Sequence, residues 1–236
     1  MRYYVYVSGA KVEMLHTQIP RKLLSRLTAE AKVDLKVAGV SVQRPAGQDA
    51  GLYERLDVVE GFLEREYDVG WVPSGAEEEE GAGFWFRGEV GLRVSGDGLA
   101  EGPVLMSGVE GDTLVALVGS AHHLVGHSAE PGLRRVGHSW LPSLYRLLQD
   151  ASRAETDGVP AARPTDGVLH DVAEVCDRLA GPAMWCEFLA RELLRGSVTD
   201  ETGMRREVVV GTPLYVALSD ERPGGRRRGR VRGEGG

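Results

Sequence analysis

Between Phe84 and Val118 the chain reads as three strands in close succession, and no other stretch restricts the fold as much. Phe84–Val94, Val104–Val109 and Thr113–Val118 are rich in β-forming Val, Leu, Phe and Trp. The links Ser95-Gly-Asp-Gly98 and Glu110-Gly-Asp112 are turn material. Strands joined this tightly lie antiparallel, because a parallel neighbour needs a long crossover. The sequence therefore predicts an antiparallel meander in the middle of the chain.

Other stretches add to it. Tyr3–Ser8 predicts a strand with Tyr3, Val5 and Val7 on one face and Tyr4 and Tyr6 on the other. Lys11–Gln18 fits no single pattern, whereas Pro20 suits the first turn of a helix running through Leu23, Leu24 and Leu27. Val33–Val37 alternates, and its phase flips at Gly39 before Val40 and Val42, as a bulge would cause. Leu52, Leu56, Val59, Leu63 and Tyr67 recur at helical spacing. Gly70–Gly83, with Pro73 and the run Glu77–Glu80, reads as a surface loop. Trp140–Ala151 and Asp166–Leu179 predict helices, the second with Thr165 as N-cap and Val168, Val172, Val175 and Leu179 as its apolar stripe. Ala154–Pro164 reads as a linker. Met184–Leu194 suits helix or strand. Val208–Leu218 is a strand whose Pro213 requires an edge or a bulge. With strands at both ends, the expectation is one α+β domain over residues 1–220. It would have a mostly antiparallel sheet of about six or seven strands, packed by three or four helices.

Charge and cysteine content narrow the function classes. The net charge is −7, yet the tail Glu221–Gly236 carries six arginines and two glutamates, which leaves −11 on residues 1–220. An acidic body is a poor nucleic-acid platform, so such contact is expected only from the tail, read as disordered. The chain has 24 arginines against four lysines, a single isoleucine and no asparagine, a high-GC codon signature that also accounts for the arginine surplus. Cys176 and Cys186 lack metal spacing and are too few for a disulfide framework, so both are expected to be buried thiols. Neither a signal peptide nor a membrane-length apolar run is visible, so the expected location is cytoplasmic and no membrane partner is expected.

Chemistry concentrates in one place: four of the six histidines, His122, His123, His127 and His138, follow the Thr113–Val118 strand. His123 and His127 have the i, i+4 spacing of a metal pair, but Leu124 stands where a zinc-protease motif needs glutamate, and Gly126 weakens a helix there. Val118-Gly-Ser-Ala-His122 instead suits a strand-to-turn anion site, with Gly119 allowing close approach and Ser120, His122 and His123 as donors. Ser120 lacks the nucleophile elbow of the serine hydrolases. In Phe84-Trp-Phe-Arg87 the reading is core aromatics beside a surface arginine.

The stretches Tyr3–Leu15, Gln18-Ile-Pro20, Phe86-Arg-Gly88, Gly119–Gly126 and Gly211–Ala217 together resemble a family of small uncharacterised proteins of high-GC bacteria, over residues 1 to about 218. The resemblance implies an accessory role in bacterial conflict or signalling modules, supplies no catalytic residues, and favours an extended Met184–Arg191. The leading expectation is a non-enzymatic module without a cofactor, binding a small anionic ligand or a protein partner through Gly119, Ser120, His122 and His123. The alternative is a metal-dependent hydrolase, with a divalent transition metal held by His123, His127 and His138 and a carboxylate from Asp112 or Glu110. A third is nucleic-acid contact through the arginine-rich tail.

Overall fold

The computed structural model describes residues 2–28, 50–73, 84–96, 102–126, 165–199 and 203–219. The readings made for Val33–Val42, Glu77–Glu80, His127, His138, Trp140–Ala151, Ala154–Pro164 and the tail lie outside them. Among the described residues the fold is α+β. Its strands are β1 (Tyr3–Val7), β2 (Val69–Val72), β3 (Trp85–Gly96), β4 (Pro103–Glu110), β5 (Thr113–Ser120), β6 (Met184–Thr199) and β7 (Arg205–Leu218). Its helices are α1 (Gly9–Gln18), α2 (21–28), α3 (Ala50–Glu66) and α4 (Thr165–Asp177).

The meander is present, since β3 pairs antiparallel with β4, and β4 with β5. It does not remain an open sheet. β5 runs parallel to β7, β7 antiparallel to β6, and β6 antiparallel to β3, so the five strands close into a barrel. This corrects the expectation of a sheet packed only from outside. Closure rests on the length of β6, 16 residues, which pairs with β3 through Met184–Arg191 and with β7 from Cys186 to Thr199. A closed barrel has its own interior core. Here Phe86, Val90 and Leu92 of β3 meet Val104, Met106, Val115, Leu117, Cys186, Phe188 and Val209. Gly211 leaves the space that the Phe86 ring fills, since a Cβ there would stand 2.6 Å from it.

Two helical layers cover the outside. Val12, Ile19, Leu27, Leu56, Val59 and Leu63 from α1–α3 pack on Leu189, Leu214, Tyr215 and Ala217. α4 packs Leu169, Val172, Ala173 and Cys176 on Leu114, Ala116, Val118, Val208 and Val210. The α4 stripe is thus rotated by about one residue from the expected valine series. Small Ala173 and Cys176 let the helix come close, and Val168 and Val175 fall to its flanks. Buried on both faces, β5 runs apolar from Leu114 to Val118 instead of alternating. Val115 and Leu117 point into the barrel, while Leu114, Ala116 and Val118 lie beneath α4.

Two local readings change, and one left open is decided. β1 carries a bulge between Tyr4 and Tyr6, which splits the tyrosines: Tyr6 enters the barrel, and Tyr4 joins the helical layer with Val7. The start of the expected surface loop is β2, parallel to β3, with Val72 buried. Met184–Leu194 is strand throughout. Pro213 sits in β7 beyond the last pair with β5, Leu117–Gly211, and before the first with β1, Val7–Tyr215. A register shift in the β6–β7 ladder lies opposite it. Its missing N–H therefore costs no ladder bond on that side.

One polar knot ties α3 to the sheet. Glu60, 7% exposed, accepts hydrogen bonds at Oε1 from Arg2 Nη2 and Arg87 Nη2, each at 3.0 Å, and from the Tyr215 hydroxyl at 2.9 Å, while Arg2 Nη1 donates to its Oε2. Arg2 Nε further meets Glu187 at 2.7 Å, and Arg87 Nη1 meets Glu64 at 2.7 Å. Arg87, expected at the surface, is therefore half-buried and paired. Of its aromatic neighbours Trp85 and Phe86 are core, but Phe84 is exposed beneath the Arg191 guanidinium.

Candidate functional site

β5 delivers His122 and His123 to one end of the barrel. The strand stops at Ser120, and a single 3-10 turn, Ala121–His123, folds the chain against β1. Several contacts fix this turn. Leu124 bridges Tyr6, Val125 N donates to Val5 O at 2.8 Å, and Ala121 N donates to Gly102 O at 2.9 Å. Ser120 Oγ and His122 Nδ1 are hydrogen-bonded at 2.7 Å. The His122 and His123 rings lie side by side with centroids 3.8 Å apart, and His123 also meets the Tyr6 ring edge-on at 5.6 Å. Both histidines are half-buried.

Gly119 does permit a close approach, and the approaching group is Tyr6: a Cβ at Gly119 would stand 2.5 Å from its hydroxyl and 2.8 Å from its ring. Ser120 N donates to Tyr6 Oη at 3.5 Å. The backbone N–H groups of Ser120 and Ala121 are thus engaged within the protein. Burial pushes the Tyr6 hydroxyl up to about 12, so it stays protonated.

The carboxylates paired with the histidines in the metal reading stand elsewhere. Asp112 and Glu110 form the hairpin at the opposite end of β5 from Ser120, roughly 23 Å away at strand rise. That end is tied to β7, with Glu207 N donating to Asp112 O at 2.9 Å and Thr113 Oγ1 to Glu207 at 3.0 Å. Neither residue can complete a site around His123. Among the described residues no group of three or more His, Cys, Asp or Glu is placed to hold a metal ion. No described helix is long and apolar enough to cross a membrane.

A second polar group, unforeseen from the sequence, stands beside the first. The indeterminate stretch after β1 is α1, and Ser8 precedes it without capping it through its side chain. Its backbone N–H donates to Leu214 O at 2.9 Å. One turn on, Lys11 Nζ is hydrogen-bonded to Thr212 Oγ1 and donates to Pro213 O at 2.9 Å. Burial, with no charged neighbour contributing, lowers Lys11 from 10.5 to about 7. No local signal reveals this group, because Lys11 and Thr212 are 201 positions apart in the sequence.

Two polar clusters thus stand beside β1 and β7: Ser120, His122 and His123 against Tyr6, and Lys11 with Thr212 near the Ser8 backbone. The family described as "Family of unknown function (DUF7019)" matches residues 2–220. The chain belongs to that family. The match covers β1 to β7 and so includes both clusters. No curated protein and no solved structure shows significant similarity to the chain.

Proposed function

We propose that the protein is a binding module, without catalysis at this turn, that takes a small anionic ligand through the side chains of Ser120, His122 and His123. The observation that carries this reading is the Ser120 Oγ–His122 Nδ1 hydrogen bond, on a turn fixed by its contacts to β1 and residue 102. A serine that orients an imidazole, with a second imidazole alongside, gives donors set in advance of binding, which lowers the ordering cost of recognition. The accessory role in bacterial conflict or signalling modules belongs to the same proposal, as does a cytoplasmic location.

Titration with inorganic phosphate and acetate, followed by NMR of the imidazole protons, tests the siting. Saturable shifts at His122 and His123 that weaken at least about tenfold in the S120A/H122A variant are expected. If neither anion shifts those protons at concentrations up to about 10 mM, or if the double variant binds as the parent does, the reading is wrong.

A further inference from the structure

We propose that His122 is a phosphoryl-accepting histidine: its Nε2 takes a phosphoryl group from a donor with a P–N bond, and His123 binds the transferred group alongside. This rests on the reading of the Ser120–His123 turn as an anion site, and it names the anion as a phosphoryl group that becomes covalently held. A stoichiometric modification of this kind needs no catalytic set at the turn.

Three structural observations converge on His122. The first decides which nitrogen reacts. The two ring nitrogens of an imidazole are distinct, and the hydrogen bond made by one sets the role of the other. Ser120 Oγ lies 2.7 Å from His122 Nδ1, and with Nδ1–H donating to that oxygen the lone pair sits on Nε2. The second is the neighbouring ring. The His123 centroid is 3.8 Å from that of His122, and the ring rests edge-on against the buried Tyr6 at 5.6 Å. It is thereby held beside His122, where an imidazole N–H can donate to phosphoryl oxygens. The third is access. Both histidines are half-buried, whereas Ser120 is 6% exposed, so a donor meets the imidazole before the serine hydroxyl. Ser120 is thus a positioning residue. The turn is tied down on both sides, by Ala121 N to Gly102 O at 2.9 Å and Val125 N to Val5 O at 2.8 Å, so the acceptor is oriented before the donor arrives.

In the transfer, the Nε2 lone pair attacks phosphorus, and a new N–P bond forms as the P–N bond of the donor breaks. The donor nitrogen leaves with the electron pair of the broken bond and the protons it already carried, while Nδ1 keeps its proton against Ser120 Oγ. One P–N bond replaces another, so the step is close to thermoneutral and reversible. The donor class that fits is a phosphohistidine of a partner protein.

Phosphoramidate is the probe. The full-length protein should gain one phosphoryl group that is lost in acid and kept in alkali, as an N–P bond requires and a serine phosphate does not. Peptide mass spectrometry should place it on His122. His170, exposed on α4, reports unassisted chemistry and should react at least about tenfold more slowly. H122A should lose the adduct. H123F keeps a flat ring without a donor and should slow labelling at least about tenfold, and H123Q, which restores a donor, should recover part of the rate. In heteronuclear NMR the parent adduct should lie on Nε2 alone, whereas S120A should give a mixture of Nε2 and Nδ1 adducts; a merely structural serine would change the rate and not the nitrogen. Thermal melting checks that each variant folds. Labelling of His170 as fast as His122, a parent adduct on Nδ1, or an H123F rate equal to that of the parent overturns the proposal. If inorganic phosphate shifts the His122 and His123 protons while phosphoramidate leaves the chain unmodified, phosphoryl acceptance is refuted and the anion reading stands.

Discussion

Replacing Glu60 with alanine removes the carboxylate at the centre of the α3–sheet knot. Three donors lose their acceptor at once: the guanidinium groups of Arg2 and Arg87 and the Tyr215 hydroxyl. Breaking a buried ion pair by removing one partner costs about 3–5 kcal/mol. Two features put Glu60 at the low end. Each arginine keeps a second carboxylate at 2.7 Å, Glu187 or Glu64, and the arginine side chains are 35% and 26% exposed, so water reaches them. Tyr215 has neither relief: its side chain is buried, and an orphaned hydroxyl costs about 1–3 kcal/mol. The expected total is about 3 kcal/mol, which for a chain of this size lowers Tm by roughly 6–12 °C. Urea denaturation followed by circular dichroism measures it, with E64A as the control. Glu64 is 44% exposed and pairs only at the rim, so its loss should cost less than about 1 kcal/mol. The double variant E60A/Y215F should recover about 1 kcal/mol relative to E60A, because it removes the orphan. A cost below about 1 kcal/mol for E60A, or equal costs for E60A and E64A, would refute the account of the knot.

Three further outcomes follow from the packing. Gly119→Ala places a methyl group 2.5 Å from the buried Tyr6 hydroxyl, so it should destabilise by about 1–3 kcal/mol by chemical denaturation; a neutral result would mean that the turn shifts freely off β1. Burial pushes both thiols up to about 11, so Cys176 and Cys186 should resist a thiol reagent in the folded protein at pH 8 and react fully once unfolded, and rapid native labelling of either would contradict their packing. Lys11 has a folded value of about 7 below its ordinary 10.5, so between those limits the unfolded chain holds a proton that the folded chain lacks. Its contribution to stability therefore falls as pH drops from 10.5 to 7 and is constant below, and K11M should remove up to about 1.4 kcal/mol per pH unit of slope in that window. Parallel stability curves for the parent and K11M over pH 8–10 would show that the amine is not desolvated.

The meander, α2, α3 and β7 could be read from the sequence because each satisfies a local rule: short Gly/Asp links, Pro20 before a helix, helical spacing of Leu56, Val59 and Leu63, and a proline at a ladder break. Closure could not be read. Whether β6 stands beside β3 as well as β7 depends on contacts between residues about 100 positions apart, such as Phe86 and Ala190, and no local pattern encodes that pairing. The same reason hid the ends of the strands. Asp112 and His123 are near in sequence, but an extended strand separates them, whereas Ser8 and Thr212 are far apart in sequence and meet at one junction of β1, α1 and β7. The Gly119–His123 turn was visible as chemistry, but its neighbour Tyr6 was not. The bulge in β1 that sends Tyr6 inward and Tyr4 outward breaks the alternation on which the sequence reading relied.

Tyr6 is where ring and hydroxyl become separable by experiment. Its ring fills the space at Gly119 and meets His123 edge-on, whereas its hydroxyl reaches Ser120 N only at 3.5 Å, the outer limit of a hydrogen bond. The ring should therefore hold the turn. Tyr6→Phe keeps the ring and should cost no more than about 1 kcal/mol, whereas Tyr6→Ala opens a cavity in the barrel and should cost about 3–5 kcal/mol. Anion-induced shifts at His122 and His123 should survive in the phenylalanine variant, because their donors are untouched. A phenylalanine variant that loses the histidine shifts would show that the hydroxyl holds the turn.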